Sequence, residues 1–146
     1  MTPIVVVDTS VHVSSEVFSK PGSPARETIS RGFARHFVSA LSPALLQEIA
    51  RKLAEEGISE AEVAVYLQNV VASGMAFPDD DGANVACRDP NDLFVVALAH
   101  TAKAACIVTQ DADLLDPETL PAGLQPPQFL ARLRELRGEA PGQRFP

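Results

Sequence analysis

Short apolar runs alternate with helix-start signals along this chain, and this alternation limits the fold more than any other feature. The first run, "IVVV" within residues 3–8, is entirely β-branched and is bounded by polar residues, which is typical of a buried strand in a parallel sheet. Similar runs predict strands within 36–41, 75–78 and 105–109, and a short edge strand just before Pro126.

Capping signals predict helices between these strands. Serine followed directly by proline, as at Ser23 and Ser42, supplies an N-cap and a first-turn residue, and Asp89-Pro90 repeats the pattern. Ser59 and Glu62 have the spacing of a capping box. The predicted helices cover 10–19, 24–33, 43–56, 60–73, a segment starting near Pro90, and a terminal segment ending at Leu136. Strands that alternate with helices indicate the α/β class with a mostly parallel sheet.

The length and composition fit one folded domain. The chain has 146 residues, of which 46% are hydrophobic and 21% charged, so we expect a single domain over 1–136 and a flexible tail over 137–146. No apolar run approaches the roughly 20 residues that span a bilayer, and the first residues lack the pattern of a signal peptide. We therefore expect a cytoplasmic protein without a membrane partner. Cys87 and Cys106 lack the spacing of a structural zinc site, and we expect both to be buried as small hydrophobic side chains.

The formal net charge of −7 argues against a broad basic surface for duplex nucleic acid. It does not exclude a nuclease, because carboxylates that hold a divalent cation count as negative charges in this sum. The positions of the acids therefore matter more than their number.

Two acids follow predicted strands. Asp8 ends the first strand and Asp111 follows the strand at 105–109. The carboxyl ends of parallel strands form the binding edge of an α/β sheet, so both positions suit a functional site. The alternatives are a helix cap for Asp8 and turn chemistry for Asp111. Asp113 and Asp116 come next, and turn chemistry accounts for both.

Two further acids lie on predicted helices. Asp92 has the spacing of the apolar stripe formed by Val95, Val96 and Ala99, where an unpaired carboxylate costs several kcal/mol. The alternative is that Asp92 complements the helix dipole, but Asp89 already suits the cap. Glu48 lies about 60° around its helix from Leu45, at the border of the buried face, where a solvated glutamate is the alternative. Convergence of these acids would require hard divalent cations such as Mg²⁺ or Mn²⁺.

Other site patterns are missing from the sequence. It contains no glycine-rich phosphate loop, no GxSxG and no HExxH. The three histidines, His12, His36 and His100, have no spacing that suggests a catalytic pair, and we interpret them as structural or exposed.

Five segments together resemble the PIN-domain family, especially its bacterial branch of toxin components from toxin–antitoxin pairs. They are "VVVDTSV", "GSPAR", "LSPALLQEIARKL", "RDPNDLFVVALA" and "IVTQDADLL", in family order from about Ile4 to Leu136. The resemblance implies a three-layer α/β/α sandwich and a Mg²⁺- or Mn²⁺-dependent endoribonuclease with one or two ions. The four acids of the family's site correspond to Asp8, Glu48, Asp92 and Asp111.

The chain departs from the family pattern at two positions. Ser10 stands where the family often has Asn, and Asn91 where a further acid is frequent. We expect Ser10 and Thr109 to orient carboxylates, with Asp113 as a further supporting residue. For contacts to RNA phosphates, the predicted residues are Arg26, Arg31 and Arg35, although a solvated surface role is the alternative for each.

The resemblance also implies partners: an RNA substrate, a small antitoxin protein and a second copy of the chain in a homodimer. Three alternatives stand beside the nuclease. A phosphoaspartate phosphatase would need an acid at the position of Ser10, and a receiver domain a lysine after "IVTQD". The third is an inactive PIN module that binds RNA or protein through the same fold.

Overall fold

The computed structural model describes residues 2–18, 20–82, 85, 87, 89–117, 119 and 121–140. Its five strands form one sheet in the order β3-β2-β1-β4-β5, and every strand pair is parallel. The predicted α/β class with a three-layer arrangement is confirmed. The strands are β1 (Ile4–Val7), β2 (Val38–Leu41), β3 (Gly74–Ala76), β4 (Cys106–Val108) and β5 (Gly123–Leu124).

In the described part of the chain, six α-helices lie between and after these strands. Helix α5 packs against β1, β2 and β4, whereas α4 packs against β2 and β3, and α2 contacts α4 and α6. The helices are α1 (Thr9–Val13), α2 (Pro24–Phe33), α3 (Pro43–Glu55), α4 (Glu60–Ser73), α5 (Leu93–Ala102) and α6 (Pro126–Leu136). Within the described ranges, no helix combines the length and apolar character needed to cross a membrane.

The predicted caps account for the helix starts. The hydroxyls of Ser23, Ser42 and Ser59 each accept a hydrogen bond from the backbone N–H three residues later, at 3.2 Å in every case. Gly57 ends the segment after α3 with a φ of +89°, a left-handed conformation that glycine adopts without strain. Local sequence chemistry therefore sets most helix boundaries.

Two predicted helices are less regular in the structure. Helix α1 continues as a wider π-helical segment, Ser14–Phe18. The segment at Pro90 begins with a tight 3-10 turn, Pro90–Asp92, so α5 itself starts only at Leu93 and Asp92 occupies its N-cap position. Helix α5 also buries more than the predicted stripe, because Ala97 and Leu98 are buried beside Val95, Val96 and Ala99.

The core lies between the sheet and the helices and includes the central strands β1 and β4. Val5, Val6 and Ile107 have no exposed surface, and Leu45, Ile49 and Leu53 of α3 are buried. Cys106 is buried, Cys87 is half-buried, and both thiols are free.

The C-terminal segment is anchored where the sequence predicts a flexible tail. Glu139 accepts hydrogen bonds of 2.8 Å from both Nη atoms of Arg31, a side chain with no exposed surface. The predicted tail over 137–146 therefore begins with an attached segment, and residues 141–146 lie outside the described part of the chain.

Candidate metal centre

The register of the two central strands places the first two acids. Val7 of β1 pairs with Val108 of β4, so the residues after them, Asp8 and Thr109, emerge side by side at the carboxyl edge of the sheet. Asp111 follows two residues later in the same loop. The parallel pairing of strands that are about a hundred residues apart thus brings Asp8 and Asp111 to one place.

Hydroxyl groups hold the carboxylate of Asp8. Ser10 Oγ and Thr109 Oγ1 both donate to Asp8 Oδ2, at 2.8 and 2.9 Å. The same hydroxyls accept hydrogen bonds from the next loop: Gln110 N donates to Ser10 at 3.0 Å and Asp111 N donates to Thr109 at 2.9 Å. The structure therefore places Ser10 and Thr109 where the sequence predicted carboxylate-orienting residues.

Two helices bring the remaining acids to the same cleft, which has a volume of about 840 Å³. Asp92 enters from the start of α5 and Glu48 from α3, and both line the cleft together with Asp8 and Asp111. All four predicted acids are thus brought together. The Glu48 side chain is 25% exposed, which agrees with its predicted position at the border of the buried face.

The surroundings disfavour the ionised form of two acids of the cleft, Asp8 and Asp92. Burial raises the pKa of Asp8 above its ordinary value of 3.8, although the hydrogen bonds from Ser10 and Thr109 act in the opposite direction. Burial, followed by the neighbouring Asp111 carboxylate, raises the pKa of Asp92 to about 7. Crowded acids with these shifts require a cation or a proton to balance their charge.

Two of the described residues that line the cleft have a buried polar atom without a hydrogen-bond partner. Among the described residues, three buried side-chain atoms have no hydrogen-bond partner, and two of them, Thr9 Oγ1 and Asp92 Oδ2, belong to residues that line it. Buried carboxylate oxygens are normally satisfied, so Asp92 Oδ2 has the position expected of an oxygen that coordinates an ion. The donors are all oxygen atoms, which suits Mg²⁺ or Mn²⁺. The residues present therefore fit a divalent cation.

A second grouping of acids extends the site. Carboxylate oxygens of Asp89, Asp92 and Asp113 lie within 4.8 Å of one another. Asp89 also accepts a hydrogen bond of 3.0 Å from Asn91 N, so the predicted cap exists. The interpretation of Asp89 as a cap alone was incomplete, and its spacing of three residues from Asp92 was the signal for a shared helix face.

The predicted RNA-contact arginines lie elsewhere. Arg31 is buried and forms ion pairs with Glu27 and Glu139 at 2.8 Å, so both predictions for it, a phosphate contact and a solvated surface role, are wrong. Arg26 and Arg35 do not line the acidic cleft; Arg35 instead donates to the carbonyl of Ala72 at 3.1 Å. Arg26 and Arg31 lie on α2 and Arg35 lies just after it, whereas the cleft borders α3.

Residues that the sequence analysis did not single out line the cleft beside the acids. Arg51 and Lys52 of α3 supply positive charge, and Phe18 and Phe94 supply aromatic rings. Arg51 follows Glu48 by three residues on one helix, a spacing at which side chains meet, so helical periodicity could have identified it. The chemistry of the cleft is thus four central carboxylates with two cations on the α3 side.

The comparisons agree with this architecture. The crystal structure of PAE2754 from Pyrobaculum aerophilum is similar to the chain with a TM-score of 0.60 and 18% sequence identity, over 92% of this chain and 90% of that one. At this identity the likeness concerns the fold alone. No curated protein sequence matches the chain. The family comparison matches the PIN domain over residues 4–113, a range that contains all four central acids, and the chain therefore belongs to the PIN domain family.

Proposed function

We propose that this chain is a Mg²⁺- or Mn²⁺-dependent endoribonuclease that hydrolyses RNA phosphodiester bonds at the four-acid cleft. PIN domains are generally metal-dependent nucleases, and the chain belongs to that family over residues 4–113. The observation that carries the proposal is the convergence of Asp8, Glu48, Asp92 and Asp111 in one cleft, with a buried and unpartnered oxygen on Asp92.

The carboxylates have distinct parts in this proposal. Asp8, Asp92 and Asp111 would hold one ion, and Glu48 would complete the site or bind a second ion. When bound, the cation would neutralise charge on the phosphate and lower the pKa of the attacking water. Ser10 and Thr109 fix the orientation of Asp8, because both hydroxyls donate to its Oδ2. Asp92, with a pKa of about 7, must release its proton before it can act as a ligand.

In this hydrolysis, the oxygen of a water forms a bond to phosphorus. The bond from phosphorus to the ribose oxygen of the leaving strand breaks, and that oxygen takes up a proton. The acids cannot attract the RNA, since they repel its phosphates. Positive charge from Arg51 and Lys52, together with the cation, would offset that repulsion.

Labelled RNA incubated with Mg²⁺ or Mn²⁺ tests the proposal. We expect cleavage that a chelator abolishes, no cleavage by Asp8→Asn or Asp111→Asn, and normal cleavage by Glu60→Gln, an exposed acid at the start of α4. DNA of the same sequence separates RNA-specific cleavage from general nuclease activity. If RNAs of varied sequence and structure all stay intact, the chain is instead an inactive module that binds RNA or protein.

The role in the cell is a further part of the proposal. We infer a toxin of a toxin–antitoxin pair, with a small antitoxin as protein partner and a homodimer as the assembled form. A short reading frame next to this gene, whose product co-purifies with the chain and stops its cleavage of RNA, would support that role. A nuclease whose expression leaves growth unchanged would contradict it.

A further inference from the structure

Three side chains of the cleft have no part in holding a cation. Phe18 ends the π-helical segment and is 67% exposed, and Arg51 and Lys52 lie on α3. A ring with this exposure is accessible to a molecule bound in the cleft. All three line the same cleft as the four acids, so a molecule bound there would meet a ring, two cations and the carboxylates together.

Two glutamates hold Arg51 in a fixed orientation. Its Nη2 lies 2.9 Å from both carboxylate oxygens of Glu48, and its Nη1 lies 2.6 Å from Oε1 of Glu55. A fourth contact, from Nε to Glu48 Oε2, measures 3.3 Å. A guanidinium has five N–H groups, so these contacts to described residues leave at least one for another acceptor.

The Arg51 side chain remains accessible despite these bonds. It is 55% exposed, and Lys52 next to it is 44% exposed. A guanidinium that is oriented by carboxylates and open to solvent is well suited to bind a phosphate oxygen with little loss of side-chain freedom. Such a contact would place a phosphate on the α3 side of the acids.

The exposed ring supplies the second recognition element. Every nucleobase has a π face that stacks on an aromatic side chain, but in a duplex both faces of most bases are already covered. A cleft of about 840 Å³ is large enough to hold a nucleotide with its base. A ring that lines the same cleft as an exposed arginine therefore favours an unpaired nucleotide over a paired one.

We propose that Phe18 and Arg51 form a subsite for one unpaired nucleotide of the substrate, with the base stacked on Phe18 and its phosphate bound by Arg51 beside Lys52. This inference rests on the proposed nuclease function and makes both side chains substrate-binding residues. The subsite gives a role to the ion pair between Arg51 and Glu48, because the bound phosphate is then held next to a carboxylate of the metal centre.

Binding measurements test the subsite without relying on cleavage. A short fluorescent single-stranded RNA is titrated with protein in Ca²⁺, its integrity is checked on a gel, and the same RNA annealed into a duplex serves as comparison. We expect tighter binding of the single strand. Arg51→Ala should weaken binding and lower the slope of log affinity against log salt by about 0.7 to 1, the value for one lost phosphate contact. Arg132→Ala, an exposed arginine on α6, should leave the slope unchanged.

Variants of Phe18 test the stacking. Phe18→Leu keeps apolar surface but removes the ring, and should weaken single-strand binding about 5- to 100-fold with an unchanged salt slope. Phe18→Tyr keeps the ring and should bind like the wild type. Arg51→Lys keeps the positive charge but loses the forked N–H groups of the guanidinium. It should therefore keep the salt slope and bind RNA more weakly than wild type. This variant replaces Arg51→Ala if Arg51→Ala fails to fold.

The outcomes separate this inference from the proposed function. Suppose that the wild type cleaves RNA in a chelator-sensitive way, but Arg51→Ala has the RNA affinity and salt slope of Arg132→Ala, and Phe18→Leu binds RNA like the wild type. The proposed subsite is then wrong, and the proposed nuclease function is retained. Equal affinity for single strand and duplex also overturns the subsite. If the wild type neither binds nor cleaves any RNA, both proposals fail, and Phe18 has some other contact, such as a protein.

Discussion

At the scale of single residues, the negative charge of Asp92 is disfavoured by its surroundings in the cleft. Its pKa of about 7 lies above the ordinary 3.8, because burial and the Asp111 carboxylate disfavour its charge. Because the pKa is raised in the folded state, the protonated carboxyl group contributes to the free energy of unfolding below about pH 4. This contribution is lost as the pH rises to 7. The metal-free protein therefore carries an electrostatic cost at neutral pH.

The substitution Asp92→Asn should remove that cost. In the presence of a chelator, we expect the variant to unfold at a higher temperature than wild type at pH 8, with a gain of about 1–2 kcal/mol after allowance for screening by solvent. The gap should close as the pH falls toward 4. Added Mn²⁺ should stabilise the wild type and not the variant. Thermal unfolding across this pH range checks the prediction, which a gap that does not change with pH would contradict.

Thr109 is a second residue whose effect can be isolated. Thr109→Val has nearly the same shape but loses the donor to Asp8 and the acceptor for Asp111 N. We expect Mn²⁺ affinity to fall about 10- to 100-fold and the free energy of unfolding by about 1–3 kcal/mol. Thr109→Ser keeps the hydroxyl and should stay close to wild type in affinity. Equal affinity in the valine and serine variants would show that the hydroxyl does not orient Asp8.

At the scale of elements, the sequence predicted the helices and strands better than their contacts. Caps and β-branched runs are local, so the bounds of α2, α3 and α4 follow from residues within the same segment. The partner of Arg31 is not local, since Glu139 lies 108 residues away. The pairing of Arg31 with Glu27 is local, but without the contact to Glu139 a helix arginine is expected on the surface, and the predicted RNA contact was wrong for this reason.

The ion pairs of Arg31 lead to a prediction about the link between α2 and the C-terminal segment. Glu139→Gln leaves a buried guanidinium with only Glu27 as an anionic partner among the described residues, and should lower the free energy of unfolding by about 1–3 kcal/mol at pH 7. Glu135→Gln, an exposed residue of α6, is the control. Urea unfolding of the three proteins measures the difference.

The ion pair between Arg31 and Glu139 also makes the lower free energy of unfolding of Glu139→Gln depend on pH. Hydrogen bonding from Arg31 holds the pKa of Glu139 at about 2, below its ordinary 4.5. A lowered pKa gives stability that is present above about pH 4.5 and is lost as the pH falls toward 2. The difference between wild type and Glu139→Gln should therefore shrink over this window. A difference that persists at pH 2 would mean that the contact does not depend on charge.

At the scale of the whole molecule, one topological feature assembles the site. Strands β1 and β4 are distant in sequence but adjacent in the sheet, and α3 and α5 bring Glu48 and Asp92 to the same edge. The general rule for parallel sheets predicted that Asp8 and Asp111 lie at this edge, whereas Glu48 was assigned to the site by the family resemblance. The rule could not predict the exposure of Phe18, which depends on side-chain placement at the surface, whereas the pairing of Glu48 with Arg51 follows from their spacing of three residues on α3.

The central claim is that these acids form a site for a divalent cation. Calorimetric titration with Mn²⁺ tests it directly on wild type, Asp8→Asn, Asp92→Asn and the control Glu60→Gln. We predict binding by wild type and by Glu60→Gln, and its loss in both cleft variants. Equal Mn²⁺ binding by all four folded proteins, or none by wild type, would contradict the assignment.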